Sequence, residues 1–459
     1  MIDLDDGVFM NQVEELVEGK RWAALRDMLL LLEPADIALI LDKLPEDRLP
    51  LLYRLLPKET AAEVFVEMEP EAQELLIKGF SDTELKEVLE ELYVDDTVDI
   101  IEEMPASVVK RILKHTDPET RKSVNEILKY PEDSAGSIMT TEFVDLKRDM
   151  TVEDAFKRIR RTGIDKETIN ICYVTDTSRH LLGLVSIRTL LLAEEDEAIE
   201  DIMETNVIFA TTLEDKEDVA QQLSKYDFLP MPVVDKESRL VGIVTIDDAI
   251  DVMEEEATED LEIMAAITPT DKPYLRTGVW ETVKSRIPWL MLLMLSATFT
   301  GIVINSFEES LARCSVLIGF IPMLMGTGGN SGNQSSVAVI RGLSLNEIGF
   351  GDLIEVVWKE SRVAVVCGIL LACGNFIKLL VVDRLLMQNV EVTPLVAAVI
   401  CLTLVCTVFC AKVVGCMLPL LAEKIGLDPA VMAAPFISTI VDVLSLVIYF
   451  TFATALLGL

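Results

Sequence analysis

One carboxylate, Asp442, stands near the middle of an apolar run at 428–450, DPAVMAAPFISTIVDVLSLVIYF. About 20 apolar residues are enough for a helix to cross a bilayer. A charge at the centre of such a helix costs roughly 2.5–3.5 kcal/mol on insertion scales, so it needs a partner, a proton or an ion. No Lys, Arg or His lies within this run. At 1.5 Å per residue Asp442 sits about 20 Å from Asp428, deep in a membrane. Asp442 therefore reads as facing a wet path and holding a cation. The bland alternative is a carboxyl bonded to the neighbouring hydroxyls of Ser438, Thr439 and Ser445.

A second polar set interrupts another apolar segment at 326–336, GTGGNSGNQSS. Gly326, Gly328, Gly329 and Gly332 predict a broken helix there, and non-helical backbone at membrane depth survives only against protein or a water-filled cavity. Asn330, Asn333 and Gln334 supply amide oxygens and donors, and are candidates to line a pore. Interrupted segments of this kind mark ion sites in transporters.

Five apolar segments can position these groups: 287–304, 316–340, 363–382, 395–421 and 429–457. Arg276, Lys284 and Arg286 flank the first, and Arg341, Lys359 and Arg362 lie between the second and third. The excess of Lys and Arg on one side places the N-terminal half in the cytoplasm. Five spans then put the C-terminus outside, in a multi-pass protein of the cell membrane with lipid around it.

The 459 residues carry a formal charge of −37, unevenly spread. Residues 273–459 hold 12 acidic and 11 basic side chains, whereas 1–272 hold 65 and 29. An acidic soluble half argues against nucleic acid and anionic lipid surfaces as partners and suits cations. Seven of eight Cys lie in the apolar half with no CxxC pair, so no disulfide framework is expected. Only His115 and His180 are present, which disfavours a His-rich transition-metal site and leaves hard oxygen ligands of the kind Mg²⁺ or Ca²⁺ takes. The N-terminus, MIDLDDGVF, is acidic and too short in its apolar run for a signal peptide.

Within the acidic half, Leu32, Leu44, Leu56, Met68, Phe80, Leu92 and Met104 recur every twelve residues. Pro34, Pro45, Pro57, Pro70, Asp82 or Pro105 follows closely at most of them. Twelve residues suit a helix of about eight plus a turn, and stacking such units gives a solenoid. Residues 138–251 hold a longer repeat. One copy runs from Ile138-Met139-Thr140 through ICYVTDTSRHLLGLVSIRTLL, the other from Ile202-Met203-Glu204 through LPMPVVDKESRLVGIVTIDDAI. This resembles a tandem pair of CBS domains, β-α-β modules that often bind adenine nucleotides in the cleft between copies. The resemblance implies an Asp at the start of each last helix to hold a ribose. Asp247 and Asp248 stand there in copy two and Thr189 in copy one, so Asp247 with Phe228 is the nucleotide candidate, for ATP.

Residues 247–267 read as one long helix with an apolar stripe of Ile250, Met253, Ala257, Leu261 and Met264 and nine carboxylates on its other faces. Like charges at i, i+4 destabilise it, so cations or a packed partner must compensate. Its place directly before the membrane half suggests a moving gate.

The order of parts, with PMLMGTGGNSGNQS at 322–335 and DPAV at 428–431 followed by Pro435 and Asp442, resembles the MgtE-type magnesium channel and transporter family over essentially the whole chain. The resemblance implies a homodimer around one Mg²⁺ pore, with further Mg²⁺ on the soluble domains closing it. It carries pore roles to Asp442 and the backbone of Ser438. It carries sensing roles to Glu63, Asp95 and Asp99 in the repeat, to Asp215, Glu217, Asp227, Asp248 and Asp251 in and beside the second CBS copy, and to Glu256, Glu259 and Asp260 in the connecting helix. Relatives can carry Asn where this chain has Ala434, which would remove an amide contact near the pore ion.

The expected fold is multidomain: an α-helical repeat (solenoid) domain at 1–132, a tandem α/β CBS pair at 133–246, a connecting helix at 247–272 and a five-helix transmembrane domain at 273–459. The expected function is Mg²⁺ uptake gated by cytosolic Mg²⁺, the alternative a CBS-regulated transporter of Co²⁺, Mn²⁺ or Ca²⁺. An enzyme reading rests on Gly349-Phe350-Gly351-Asp352, which matches the GxGD string of intramembrane aspartyl proteases. Those need two membrane aspartates, whereas Asp352 lies in a polar loop and Asp442 stands alone, so no enzyme is expected.

Overall fold

A computed structural model describes residues 7–270, 274, 277–432 and 434–458. They form two compact units, Met1–Met253 and Glu254–Leu459. The expected boundary at 272 and the flanking Arg276 lie outside the described residues.

Ten helices precede the first strand among the described residues: α1 (Gly7–Glu18), α2 (Trp22–Leu29), α3 (Pro34–Asp42), α4 (Leu49–Tyr53), α5 (Lys58–Val66), α6 (Pro70–Gly79), α7 (Asp82–Leu89), α8 (Val94–Glu103), α9 (Ala106–His115) and α10 (Pro118–Ile127). From α5 onward each begins twelve residues after the last. Pro34, Pro70 and Pro118 occupy the first turn, where a missing N–H costs nothing. Ser81 and Glu84 close α7 with reciprocal backbone bonds, a capping box. The repeating apolar residues sit just past the helix ends, and Leu44, Leu56, Met68, Phe80, Leu92 and Met104 are all buried. Alternate helices pack together: α3 on α5, α5 on α7, α7 on α9, and α8 on α10. α4 is the short unit, because Pro45–Arg48 turns instead of extending it.

Two three-stranded sheets follow. β1 (Val144–Lys147) pairs parallel with β2 (Ile171–Thr175), which pairs antiparallel with β3 (Leu181–Ser186). α11 (Val152–Thr162) connects the first two, and α12 (Ile187–Leu192) and α13 (Ile199–Ile202) close the copy. The second copy repeats this as β4 (Ala210–Thr211), α14 (Lys216–Tyr226), β5 (Pro230–Val234), β6 (Leu240–Thr245) and α15 (Ile246–Met264). Each copy's leading segment crosses to the other: Thr140 bridges Ile243, and Glu204 bridges Leu184. Gly183 and Gly242 permit this. A Cβ on Gly183 would come within 2.6 Å of the Glu204 carbonyl, and one on Gly242 within 2.7 Å of the Thr140 carbonyl.

α15 differs from its expected stripe. Its buried residues are Ala249 and Val252, which join the core of the first unit, while Ile250, Met253 and Leu261 are exposed. Two small apolar side chains suffice at the sheet end, and the larger ones are left for another surface.

In the second unit, α16 (Val279–Ser306), α17 (Glu308–Arg313), α18 (Ile321–Ser344), α19 (Leu353–Lys378), α20 (Pro394–Ile425) and α21 (Ala434–Leu457) follow in order. α18 packs on α20 and α21, α19 on α20, and α16 on α21. Among the described residues, four helical stretches are long and apolar enough to cross a membrane: Val279–Ser306, Phe350–Leu386, Pro394–Ile425 and Pro429–Leu457. The 24-residue α18 is long enough but is diluted by its Gly, Ser and amide residues. The break expected at 326–336 is absent, and α18 runs through it unbroken. Its glycines make room for neighbours instead. A Cβ on Gly328 would meet Thr407 and Ser445 within 2.9 Å, and one on Gly332 would meet Ile437 at 2.6 Å. Gly415 lies directly against the Gly332 carbonyl. Small residues let helix backbones approach in this way.

Candidate metal sites

α8 begins at Val94, so Asp95, Asp96 and Asp99 emerge within its first two turns. α15 begins at Ile246, so Asp247 and Asp248 sit in its first turn. Glu142 and Glu167 come from the segments before β1 and β2, where the Glu167 N–H donates to the Glu142 carbonyl at 3.0 Å. These acids act on one another. Asp95 is raised well above the usual carboxylate range by burial, then by the charges of Asp248, Asp96, Glu167 and Asp99. Glu167 is pushed up to about 8 by burial and by Asp96, Asp247, Asp248 and Glu142. Burial, then Asp247 and Asp96, push Asp248 up to about 6 against the hydrogen bond it accepts from Thr245. Asp99 is pushed up to about 8 by burial, then by Asp248, Asp96, Glu102 and Glu103. Its side chain nevertheless keeps solvent contact.

Carboxylates crowded this closely want a proton or a cation. Asp95 Oδ1 and Glu167 Oε2 are buried without a hydrogen-bond partner, as oxygens awaiting a cation would be. Among the described residues no three His, Cys, Asp or Glu side chains converge at direct ligating distance. Mg²⁺ tolerates that, because it keeps several waters and binds through one or two carboxylates.

Of the sensing residues read from the sequence, Asp95, Asp99 and Asp248 come together here, and Asp247, expected at a nucleotide, joins them. Asp96, the neighbour of Asp95 in that acidic run, joins them as well; Glu142 and Glu167 complete the group and were not anticipated. Glu63 is exposed on α5, apart from these charges. Asp215 caps α14, accepting from the Glu217 N–H at 2.9 Å, while Asp227 closes the other end of that helix in a left-handed conformation. The eleven residues of α14 separate Asp227 from Asp215. Asp251 and Glu259 are exposed on α15 and Glu256 is half-buried there. Asp260 accepts from Ser344 Oγ at 3.1 Å, and its carboxyl is raised by burial and by Asp428.

Phe228 stacks on Tyr226, with centroids 5.5 Å apart. Neither Phe228 nor Asp247 lines either of two cavities in the CBS pair. One of about 320 Å³ is bounded by Arg188, Thr189 and Ile202. The other, of about 360 Å³, lies beside β1. Thr189 is tied to Ser186 by both its N–H and its hydroxyl, so it cannot replace the missing Asp.

In the membrane half, Asp442 is half-buried on α21. Two of the three hydroxyls that could satisfy it donate elsewhere. Ser445 donates to the Val441 carbonyl at 2.6 Å and Thr439 to the Pro435 carbonyl at 3.1 Å. Ser438, one turn before Asp442, receives Asn333 Nδ2 at 3.5 Å. Asn333 Oδ1 is buried without a partner. Asn330 and Gln334 are exposed on α18. Ala434 opens α21, and its side chain lies outside the described residues.

A buried ion pair went unread in the sequence. Lys412 Nζ lies 3.7 Å from Glu360 Oε2, and Ser335 Oγ bridges them at 3.1 and 2.6 Å. Its signal was available: Lys412 is the lone cation in the apolar run at 395–421.

A family model described as a divalent cation transporter, MgtE, matches residues 321–452. The MgtE intracellular N domain matches 32–133, and CBS domains match 135–196 and 199–255. The magnesium transporter MgtE of Thermus thermophilus is 37% identical over 458 residues, covering 99% of each chain. That of Bacillus subtilis is 34% identical over 92% of each. A crystal structure of the cytosolic domain of the Mg²⁺ channel MgtE in complex with ATP covers 53% of this chain and 99% of its own, with TM-score 0.50 and 38% identity. The soluble part of a magnesium transporter matches 54% of this chain at TM-score 0.50 and 32% identity. With an N domain, a CBS pair and a transporter domain in this order, the chain belongs to the MgtE family.

Proposed function

We propose that this chain carries Mg²⁺ across the membrane past Asp442 and shuts when Mg²⁺ binds the acids of its soluble half. Asp442 carries the transport reading: it is an intramembrane carboxylate whose neighbouring Thr439 and Ser445 hydroxyls both donate to backbone carbonyls. A hydrated Mg²⁺ needs few direct ligands, and the Asn333 amide and Ser438 hydroxyl can hold its outer waters. α18 completes a set of five spans, with its glycine face packed against α20 and α21. The N-terminus lies in the cytoplasm and the C-terminus outside. Two copies form the pore with one Asp442 each, and the exposed Ile250, Met253 and Leu261 of α15 give that second copy an apolar surface to cover.

Gating follows from charge. Without Mg²⁺, Asp95, Asp96, Asp99, Glu167, Asp247 and Asp248 repel one another. Mg²⁺ removes that cost and so stabilises whichever arrangement brings them together. α15 starts among these acids and runs on through Asp260, so it is the element that carries the change to the pore. The relative's cytosolic domain was solved with ATP, which supports a nucleotide on the soluble half of this chain.

The test is flux into vesicles with Ca²⁺, Mn²⁺ and Co²⁺ as competitors. Mg²⁺ uptake is expected to dominate and to vanish in Asp442→Ala. Flux that survives this substitution removes Asp442 from the pore, and preferred uptake of Mn²⁺, Co²⁺ or Ca²⁺ overturns the choice of ion.

A further inference from the structure

The soluble half is acidic almost everywhere, which makes one cationic cavity conspicuous. It lies beside β1, encloses about 360 Å³, and is lined by Arg158, Lys166 and Arg179 against a single carboxylate, Asp145. That carboxylate is already committed. Arg158 donates to it through its guanidinium, and Lys147 Nζ stands 3.3 Å from its other oxygen. Lys147 is fixed in turn by Thr175 Oγ1 at 2.7 Å and the Asp176 carbonyl at 3.1 Å. Lys166 and Arg179 have no carboxylate partner among the described residues, so the cavity keeps a net positive charge.

Two further observations bear on what fills it. Its floor is apolar: Phe143 and Leu240 are buried, and Phe143 stands edge-on to Tyr173 with centroids 5.9 Å apart. Arg179 reaches the rim from the β2–β3 turn with φ +69°, a left-handed conformation that L side chains adopt at a cost. The same turn of the second copy places Ser238 there, at φ +61°. The strained position thus recurs in both copies, but only the first fills it with a long cation.

We propose that this cavity is an anion site taking a phosphate-bearing small molecule, with Lys166 and Arg179 on the phosphate and Phe143 and Leu240 under its apolar part. The volume falls in the range of small-molecule pockets, roughly 300–1,000 Å³. Guanidinium and ammonium groups are the usual phosphate partners. The site is separate from the nucleotide cleft: Asp247, Phe228, Arg188 and Thr189 do not line it.

Calorimetry on the full-length protein in detergent, free of divalent cations, tests this with three probes. Pyrophosphate carries the charge alone, adenosine the ring alone, and AMP both. Pyrophosphate and AMP should bind and adenosine should not. Arg179→Gly should weaken both at least tenfold, the loss of one charge-assisted contact, while leaving thermal stability unchanged or higher because Gly accepts the left-handed turn. Lys166→Gln should weaken both similarly, and Arg188→Gln should leave pyrophosphate binding unaltered. Absence of pyrophosphate binding, binding indifferent to both Arg179→Gly and Lys166→Gln, or loss only in Arg188→Gln overturns the proposal.

Discussion

Asp95 is buried among charges of its own sign, so its protonation, or a cation beside it, is a condition of the fold. The consequence has a definite sign. Ordinary carboxyls titrate at 3.8 or 4.5, whereas Asp248 here is at about 6 and Asp99 and Glu167 at about 8. Between those values the folded state holds more protons than the unfolded one, so stability falls as pH rises. The contribution of these three groups to metal-free stability should therefore be fully present below the unfolded values and be lost through the window from about 4 to about 8. Mg²⁺ competes with the same protons and should raise the melting temperature more at the alkaline end than at the acid end. Asp95→Asn removes one charge at nearly constant shape, so it should flatten the pH slope and shrink the Mg²⁺ response. Circular-dichroism melts across pH, with and without Mg²⁺, measure all three. A metal-free melting temperature that rises across this window would contradict the account.

At the scale of elements, the glycines of α18 are the clearest case of a pattern visible in the sequence but misread there. Gly lowers helix propensity by about 1 kcal/mol, and four in seven residues look like a break. Tertiary contact overrides that cost: Gly332 and Gly415 meet backbone to backbone, and no spacing within α18 announces a partner on α20. The twelve-residue helical repeat and the paired CBS copies were legible because each period lies within one continuous stretch. Glu142 and Glu167 were not, because they reach the Asp95 cluster from loops with no regular offset from α8. Two predictions belong here. Gly332→Ala should destabilise the membrane half by about 1–3 kcal/mol through overpacking. Gly326→Ala, whose Cβ meets nothing within 4 Å, should be neutral or stabilising. Thermal unfolding in detergent distinguishes them, and equal effects would sink the close-approach reading. For the Lys412–Glu360 pair, Lys412→Met alone should cost about 3–5 kcal/mol by stranding a buried carboxylate. Lys412→Met combined with Glu360→Gln should recover much of it. An additive double variant would mean the two groups do not sense each other.

For the whole chain, the question is whether Mg²⁺ bridges particular acids or merely screens a surplus of them. Residues 1–272 carry 65 acidic and 29 basic side chains, so any salt lowers their mutual repulsion. Screening at about 0.15 M already acts beyond roughly 8 Å, which leaves mainly closer pairs for a divalent ion to settle. Those closer pairs sit where α8 and the start of α15 bring their carboxylates together, in the half that also begins the helix leading to Asp260. Bridging should therefore protect residues 1–272 from protease at millimolar Mg²⁺, and NaCl of equal ionic strength should not reproduce the protection. Asp95→Asn should move the Mg²⁺ needed for half-protection upward, and Asp442→Ala should leave it unchanged, because Asp442 belongs to the other compact unit. Equal protection by NaCl would reduce the acidic half to a screened polyanion. A shift in Asp442→Ala would mean that pore occupancy feeds back on the sensor, so sensing and conduction could not be separate ion sites.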